Sequence, residues 1–280
     1  MRIKHITGFI FFVICQACLT AHSEEYGKFN SGVISFEGEV DIVTWNSQQG
    51  QQRLLRSKHK NDYFQLAHHF QPQANPLYCG IASSVIVLNA LRLKQNSVPS
   101  QSLVEVDVPK VLGGGRLAYL SYSQLTFLNE KTDVVKTRSV IEMKDLESSK
   151  EELDPGLMLA QLKEILEVYE SKVEMFYADE EGESAVASFR KHLKLILKED
   201  KKFLLVNFYG KTMGTQAEGH ISPVAAYEGK TDSVLLLDVA GYLNPWYWVP
   251  VEHLYLAMHT LDGKTHRGYL IVSDRSVKYN

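Results

Sequence analysis

Beyond its first two dozen residues the chain carries one cysteine, Cys79, in the run Gln73-Ala74-Asn75-Pro76-Leu77-Tyr78-Cys79-Gly80-Ile81-Ala82-Ser83-Ser84. A lone thiol cannot close an internal disulfide or build a thiolate-only metal cage. It is either a small packed hydrophobe, the common fate of free cysteine, or a reactive group. Position favours the second. A Pro- and Gly-flanked break surrounds it, and an apolar stretch with helical spacing, Ile81 to Leu91, follows. The sulfur therefore falls at or near a helix N-terminus, where backbone N–H groups and the helix dipole stabilise a thiolate.

A thiolate nucleophile needs a base, a group that orients the base, and donors for the developing oxyanion. Gly219-His220-Ile221-Ser222-Pro223-Val224-Ala225-Ala226-Tyr227 starts a strand-like run with a histidine, and Leu235-Leu236-Leu237-Asp238-Val239-Ala240 ends the next with a carboxylate. Neighbouring strands lie ~4.8 Å apart, so His220 and Asp238 can meet across a hairpin. Asp238 follows an apolar run, which predicts burial, and a buried carboxylate needs a partner such as an imidazole N–H. Gln73, six residues before Cys79, is placed to offer its side-chain amide to an oxyanion beside the Cys79 backbone N–H. Singly, each has an ordinary reading: a histidine starting a strand is more often structural, and an aspartate ending one is often a turn former. His68, His69, His253, His259 and His266 lack standard metal-ligand spacing. Structural or solvated roles are their default, and no protein metal ligands are assigned.

The elements that must position these groups fall in two halves. Helices are predicted near Gln48 to Ser57, from Gly80 to Leu93, from Ser123 to Asn129, from Pro155 through Tyr169, and from Ser184 to Leu197. The Pro155 helix carries Met158, Leu162, Ile165 and Leu166 on one side, with Pro155 suited to a first turn. Val33 to Phe36 and Val173 to Tyr177 are strand candidates, and Gly113-Gly114-Gly115 is a flexible turn. Glu142 to Asp154, with six acidic and two basic residues, reads as a solvated excursion. After Lys202 come short β-rich runs, Phe203 to Phe208, His220 to Tyr227, Ser233 to Val239, Trp246 to Val249 and Gly268 to Val272, broken by a helix from Val251 to Met258. The fold class is α+β: a helical lobe over about 60–200 carries the cysteine, and an antiparallel lobe over about 201–275 carries the histidine and aspartate.

A net charge of -3 with well-mixed charges gives no footprint for nucleic acid. The N-terminus reads as a signal peptide over residues 1–23: basic Met1 to His5, apolar Ile6 to Leu19, then small residues before Glu24. Ala21 and Ser23 occupy the -3 and -1 positions of a cut after Ser23. A signal anchor is disfavoured because the apolar core is short for a span, and Cys15 stands where a lipobox before Cys18 would want an aliphatic residue. The expectation is an exported protein, periplasmic or secreted, with no stable membrane span once the signal is removed. Residues 24–280 then form the catalytic domain. Without a cysteine pair it must rely on its core for stability, and a thiol kept free in an oxidising compartment suits nucleophilic catalysis.

Four ordered blocks carry a family resemblance. Gln73 to Leu91, Gly219 to Tyr227, Leu237 to Ala240 and Arg267 to Ser273 are similar to segments of phytochelatin synthase, a papain-like cysteine acyltransferase acting on glutathione. The resemblance runs from about Ser31 to Ser273. It implies a papain-like fold, with Cys79 as nucleophile, His220 as base, Asp238 as its orienter and Gln73 as oxyanion donor. It also implies Arg267 and Gly219 at the substrate, with the Arg267 guanidinium on the α-carboxylate of the γ-glutamyl group. No covalent cofactor is implied; cadmium or zinc would arrive as a glutathione thiolate complex, in a heavy-metal response. A homodimer is left open. The chain departs from the family pattern at Glu218, where glycine is usual, and after Ala240, where a basic R-Y-K-Y-P-P run is replaced by Gly241-Tyr242-Leu243-Asn244-Pro245-Trp246. It also lacks the plant enzymes' cysteine-rich C-terminal domain, so it resembles the short bacterial forms. Such forms imply glutathione hydrolysis over transfer. Another papain-like peptidase or amidase, or a non-catalytic exported thiol-peptide or metal-binding protein, are the competing readings.

Overall fold

A computed structural model of the chain describes residues 40–92, 103–107, 109–144 and 155–275. The helices are α1 (Gln48–Arg56), α2 (Asn61–His68), α3 (Cys79–Arg92), α4 (Gln124–Phe127), α5 (Arg138–Ile141), α6 (Leu159–Val168), α7 (Glu183–Ile196) and α8 (Val251–His259). The strands are β1 (Val43–Thr44), β2 (Leu103–Asp107), β3 (Arg116–Leu120), β4 (Ser171–Tyr177), β5 (Lys202–Tyr209), β6 (Gly219–Glu228), β7 (Ser233–Leu236), β8 (Tyr247–Pro250), β9 (Leu261–Asp262), β10 (Thr265–His266) and β11 (Gly268–Asp274). Mixed helix and antiparallel sheet make the fold α+β.

Seven strands form one antiparallel sheet in the order β1-β8-β7-β6-β5-β11-β4. Helices cover both of its faces. Along β5 the side chains alternate: Phe203 and Leu205 join the cluster of Ile81, Val85, Leu162 and Ile165, whereas Leu204, Val206 and Phe208 join that of Phe189, Leu193, Leu254 and Met258. Burial on both faces explains why β5 and β6 read as nearly unbroken apolar runs rather than alternating ones. The sheet also draws in β1 and β4 from outside the expected antiparallel lobe, and β4 pairs with β11 over seven residues.

Helix α3 is buried all round from Gly80 to Leu91, as a helix apolar on every side must be. Its polar residues are tied in. Ser83 Oγ donates to the Ile221 carbonyl of β6 at 2.9 Å, and Asn89 exchanges two bonds with the backbone of Tyr122 at 2.8 and 3.1 Å.

Several boundaries differ from the sequence expectation. The helix expected from Pro155 begins at Leu159; Gly156 has a φ of +67°, left-handed backbone that a helix cannot contain, so Pro155-Gly156 is a turn. The Ser123 to Asn129 helix shortens to Gln124–Phe127, with the Ser123 side chain capping Leu125 N–H. Strand β7 stops at Leu236 rather than Val239, and Asp238 lies in the turn beyond. Gly113-Gly114-Gly115 joins the β2–β3 hairpin. The Val33 to Phe36 strand, the signal segment, Leu93 and most of the acidic Glu142 to Asp154 run lie outside the described residues.

Asp62, in the first turn of α2, is 1% exposed, and its Oδ2 has no hydrogen-bond partner among the described residues. Burial, reinforced by the charge of Asp200, pushes its carboxyl up to about 8. Between an unfolded value of ~3.9 and that value the folded chain holds a proton that the unfolded chain has released. Stability therefore falls as pH rises through this window, by at most about 1.4 kcal/mol per pH unit. Asp62→Asn keeps the shape and removes the titration. The variant should melt above wild type at pH 8, with the gap closing toward pH 4; a gap independent of pH would rule out a titrating Asp62.

Candidate active site

Asn75 builds the turn that sets Cys79 at the head of α3. Its carbonyl accepts from Tyr78 N–H at 2.9 Å and its Oδ1 from Leu77 N–H at 2.9 Å, with Pro76 fixing φ between them. The Tyr78 carbonyl then accepts from Ala82 N–H at 2.8 Å, the bond that opens the helix. Cys79 thus stands in the first turn, where N–H groups have no intrahelical acceptor. Its thiol is half-buried. The neighbouring Tyr78 is locked: its phenol donates to Glu142 and accepts from Arg138 Nη1 at 2.8 Å. Burial and the Glu142 hydrogen bond raise the phenol to about 12. Glu142, expected in a solvated excursion, has a side chain only 7% exposed, because Arg138, Lys144 and Tyr78 converge on it.

His220 is 5% exposed at the start of β6, and Asp238 is fully buried. The register Val224↔Leu236 carries the turn after β7 back toward the first residues of β6. His220 Nε2 meets Asp238 Oδ1 at 2.8 Å, and the Cys79 side chain is close enough to favour the charged imidazole. With Nε2 committed to the aspartate, Nδ1 is the nitrogen left for the sulfur. Burial acts to lower the imidazole pKa, but the hydrogen bond and charge of Asp238, with the Cys79 side chain, outweigh it and raise it to about 10. The ring edge of Phe208 closes one side of the imidazole, with centroids 5.6 Å apart at 82°. Asp238 is held in turn: Oδ1 accepts from Ala240 N–H at 2.8 Å and Oδ2 from Asn244 Nδ2 at 3.2 Å.

Gln73 is joined to this centre through its backbone, whose N–H donates to the Val239 carbonyl at 2.8 Å. Its side chain is not free as drawn from sequence. Nε2 donates to the Pro76 carbonyl at 3.0 Å and to the Tyr242 hydroxyl at 2.9 Å. The loop from Ala240 to Trp246 therefore reaches both partners, Asn244 on Asp238 and Tyr242 on Gln73. Sequence reasoning noted the charges this loop lacks and missed the two side chains it supplies; an Asn and a Tyr six residues or fewer past Asp238 were the only signal.

Arg267 lies against Gly219. A Cβ on Gly219 would come within 3.1 Å of Arg267 Nη2, so the bare glycine admits the guanidinium beside His220. Nη1 donates to Thr260 Oγ1 at 3.0 Å and to the Leu261 carbonyl, and Nη2 lies 3.6 Å from Asp262 Oδ1. Nε is buried with no partner among the described residues. Burial lowers this guanidinium's pKa, with Asp262 and Tyr209 opposing. The Nε–Nη2 edge is thus the one short of acceptors, and a carboxylate fits such an edge.

Other clusters carry no comparable set. His259 and His266 stack at 4.4 Å, with His259 Nδ1 on the Ala178 carbonyl at 2.7 Å. Among the described residues no group of three or more His, Cys, Asp or Glu is arranged to hold a metal ion. A cavity of about 520 Å³ between α7 and α8 is lined by Glu180, Glu181, Glu183, Glu252 and His259, and by none of Cys79, His220, Asp238, Gln73 or Arg267. No described helix is long and apolar enough to cross a membrane.

A thiol, an imidazole and a carboxylate in series, the thiol at a helix N-terminus, is the set from which thiol-dependent acyl-transfer sites are built. The chain belongs to the phytochelatin synthase family, which it matches over residues 38–105 and 119–269. It is 27% identical over 237 residues to glutathione gamma-glutamylcysteinyltransferase 1 of Lotus japonicus, covering 82% of this chain and 40% of that protein. To glutathione gamma-glutamylcysteinyltransferase 2 of Arabidopsis thaliana it is 25% identical over 236 residues, 84% of this chain and 44% of the relative. The enzyme of that name from Schizosaccharomyces pombe is 24% identical over 222 residues, 79% and 45%. The chain spans less than half the length of these curated relatives.

Proposed function

We propose that this protein is a cysteine acyltransferase and peptidase acting on glutathione, with a papain-like fold. The His220–Asp238 pair beside Cys79, at the head of α3 in a chain of this family, carries the reading. The Cys79 sulfur adds to the carbonyl of the Cys–Gly bond. The C–N bond breaks, His220 gives its proton to the departing glycine amine, and a γ-Glu-Cys thioester remains on Cys79. Water or the amine of a second glutathione then attacks, His220 takes the proton, and the product is γ-glutamylcysteine or a phytochelatin. Arg267 receives the α-carboxylate of the γ-glutamyl group along its Nε–Nη2 edge. Cadmium or zinc enters as part of the substrate, as a thiolate complex. The reading includes export, on the strength of the signal-like residues 1–23.

The partition between water and glutathione follows from the loop after Asp238. An acceptor glutathione carries two carboxylates, yet the loop offers Gly241 and Leu243 where the family pattern has basic residues. Losing charge contacts of this kind costs ~1–3 kcal/mol each, enough to let water win. Mass spectrometry of the products from glutathione, with and without cadmium, is expected to show γ-glutamylcysteine in excess. Gly241→Arg with Leu243→Lys should shift the ratio toward phytochelatin. Gly241 is exposed and an added Cβ meets nothing within 4 Å, so the arginine has room. Predominant phytochelatin from wild type at low glutathione would overturn the argument, and cleavage of α-linked peptides in preference to glutathione would overturn the substrate.

A further inference from the structure

Burying a charged carboxylate is costly unless donors reach both of its oxygens. At Asp238, fully buried, the two oxygens are served unequally. Oδ1 takes His220 Nε2 and Ala240 N–H, each at 2.8 Å. Oδ2 takes Asn244 Nδ2 at 3.2 Å and, among the described residues, no other donor. The amide can face only one way, because turned round it would set its carbonyl oxygen against the carboxylate. Asn244 is held from both sides along its loop. Its own N–H and that of Leu243 return to the Ala240 carbonyl, at 3.1 and 2.8 Å. Beyond Pro245 the Trp246 ring packs on those of Trp45 and Phe70, with centroids 5.0 and 4.8 Å apart. The basic run of the family pattern has tyrosine at this place, so the amide is this chain's own.

We propose that Asn244 is a positioning residue of the reaction, whose amide seats the Asp238 carboxylate in the rotation that turns Oδ1 to His220. The carboxylate torsion is broad and two-fold, so the donors decide where it rests. With two donors on Oδ1 and one on Oδ2 it has a single seat; without Asn244, Oδ2 is a buried acceptor left unpaired. The imidazole then loses the fixed direction in which it gives a proton to the departing amine and later takes one, and both steps depend on direction. Asn244 has no hydrogen bond to His220 or Cys79 among the described residues, so it acts through Asp238. Two other titratable groups feel this carboxylate. One is His220 on β6, with Cys79 of α3 beside it. The other is Tyr247 at the start of β8, whose phenol burial raises well above its ordinary value and so keeps neutral.

This inference rests on Cys79, His220 and Asp238 acting together in acyl transfer, and not on glutathione being the substrate. p-Nitrophenyl acetate therefore serves as acyl donor. Its steady nitrophenolate release reports hydrolysis of the acetyl thioester: water adds to the acyl carbon, His220 takes its proton, the C–S bond breaks and acetate leaves. A hydrogen bond to a charged group is worth about tenfold or more. Asn244→Leu, of matching size, should slow that release about tenfold at neutral pH, and Asn244→Ala, which asks nothing of the packing, should do the same. The deficit against wild type should deepen as pH falls, because a buried carboxylate short of a donor takes up a proton at higher pH. In an Asp238→Ala background neither change should matter, since the group it acts on is gone. An undiminished rate would overturn the proposal. So would a deficit that is equal in both backgrounds or indifferent to pH, which would mark Asn244 as merely structural. No nitrophenolate burst from wild type would remove the thiol as nucleophile and this inference with it. Glycine release from glutathione, followed beside these, judges the substrate alone.

Discussion

Cys79→Ser should abolish glycine release from glutathione, a loss of ~10³-fold or more. The effect is large because, in the proposed reaction, the sulfur is the atom that attacks the carbonyl and then carries the acyl group. Asp238 and Cys79 together hold a proton on His220 up to about pH 10, so at neutral pH the ring is not an empty base waiting for a proton. A serine hydroxyl set beside that protonated ring finds no base to take its proton. Cys79 is also the only cysteine after Cys18, so labelling is unambiguous in the chain beginning at Glu24. Wild type quenched with glutathione should gain one γ-Glu-Cys acyl mass, and the serine variant none. Turnover within tenfold of wild type in folded Cys79→Ser protein would remove the sulfur from the mechanism.

How much of this site was legible in the sequence depends on whether local spacing or loop closure decided each part. Cys79 at the head of α3 follows from Asn75-Pro76 before it and the apolar run after it, both local signals. The pairing of His220 with Asp238 came from two β-rich runs set close in sequence, although Asp238 lies past the strand end rather than at it. Burial of β5 and β6 on both faces removed the alternation that would have shown which side met α3. The Gln73–Tyr242 bond joins residues 169 apart, and no periodicity reports such a contact. Asp62 misleads for a different reason: an acid in a helix's first turn ordinarily interacts well with the dipole, so its type and position give no sign of burial at 1% exposure. Ring closures of this kind belong to tertiary packing, and the residues they bring together look unremarkable in isolation.

The histidine and its carboxylate should respond differently to removal, and their pH profiles should tell them apart. His220→Ala leaves the glycine amine without a proton donor and the later attack without an acceptor, so a loss of ~10²–10⁴-fold is expected. Asp238→Asn is gentler. The asparagine Oδ1 can still accept from His220 and from Ala240 N–H, which now share Asp238 Oδ1. Its Nδ2 replaces the oxygen facing Asn244, whose amide can turn to present its own oxygen. What disappears is the negative charge that helps keep the imidazole protonated. Wild type should therefore lose activity at high pH as His220 deprotonates near its value of about 10. In Asp238→Asn that descending limb should move to lower pH, because the imidazolium has lost one of the two groups that stabilise it. Rates for glycine release measured from pH 6 to 10.5 on wild type and the asparagine variant supply the comparison. An unshifted limb in folded Asp238→Asn would mean that the carboxylate only positions the ring and that another group sets its charge.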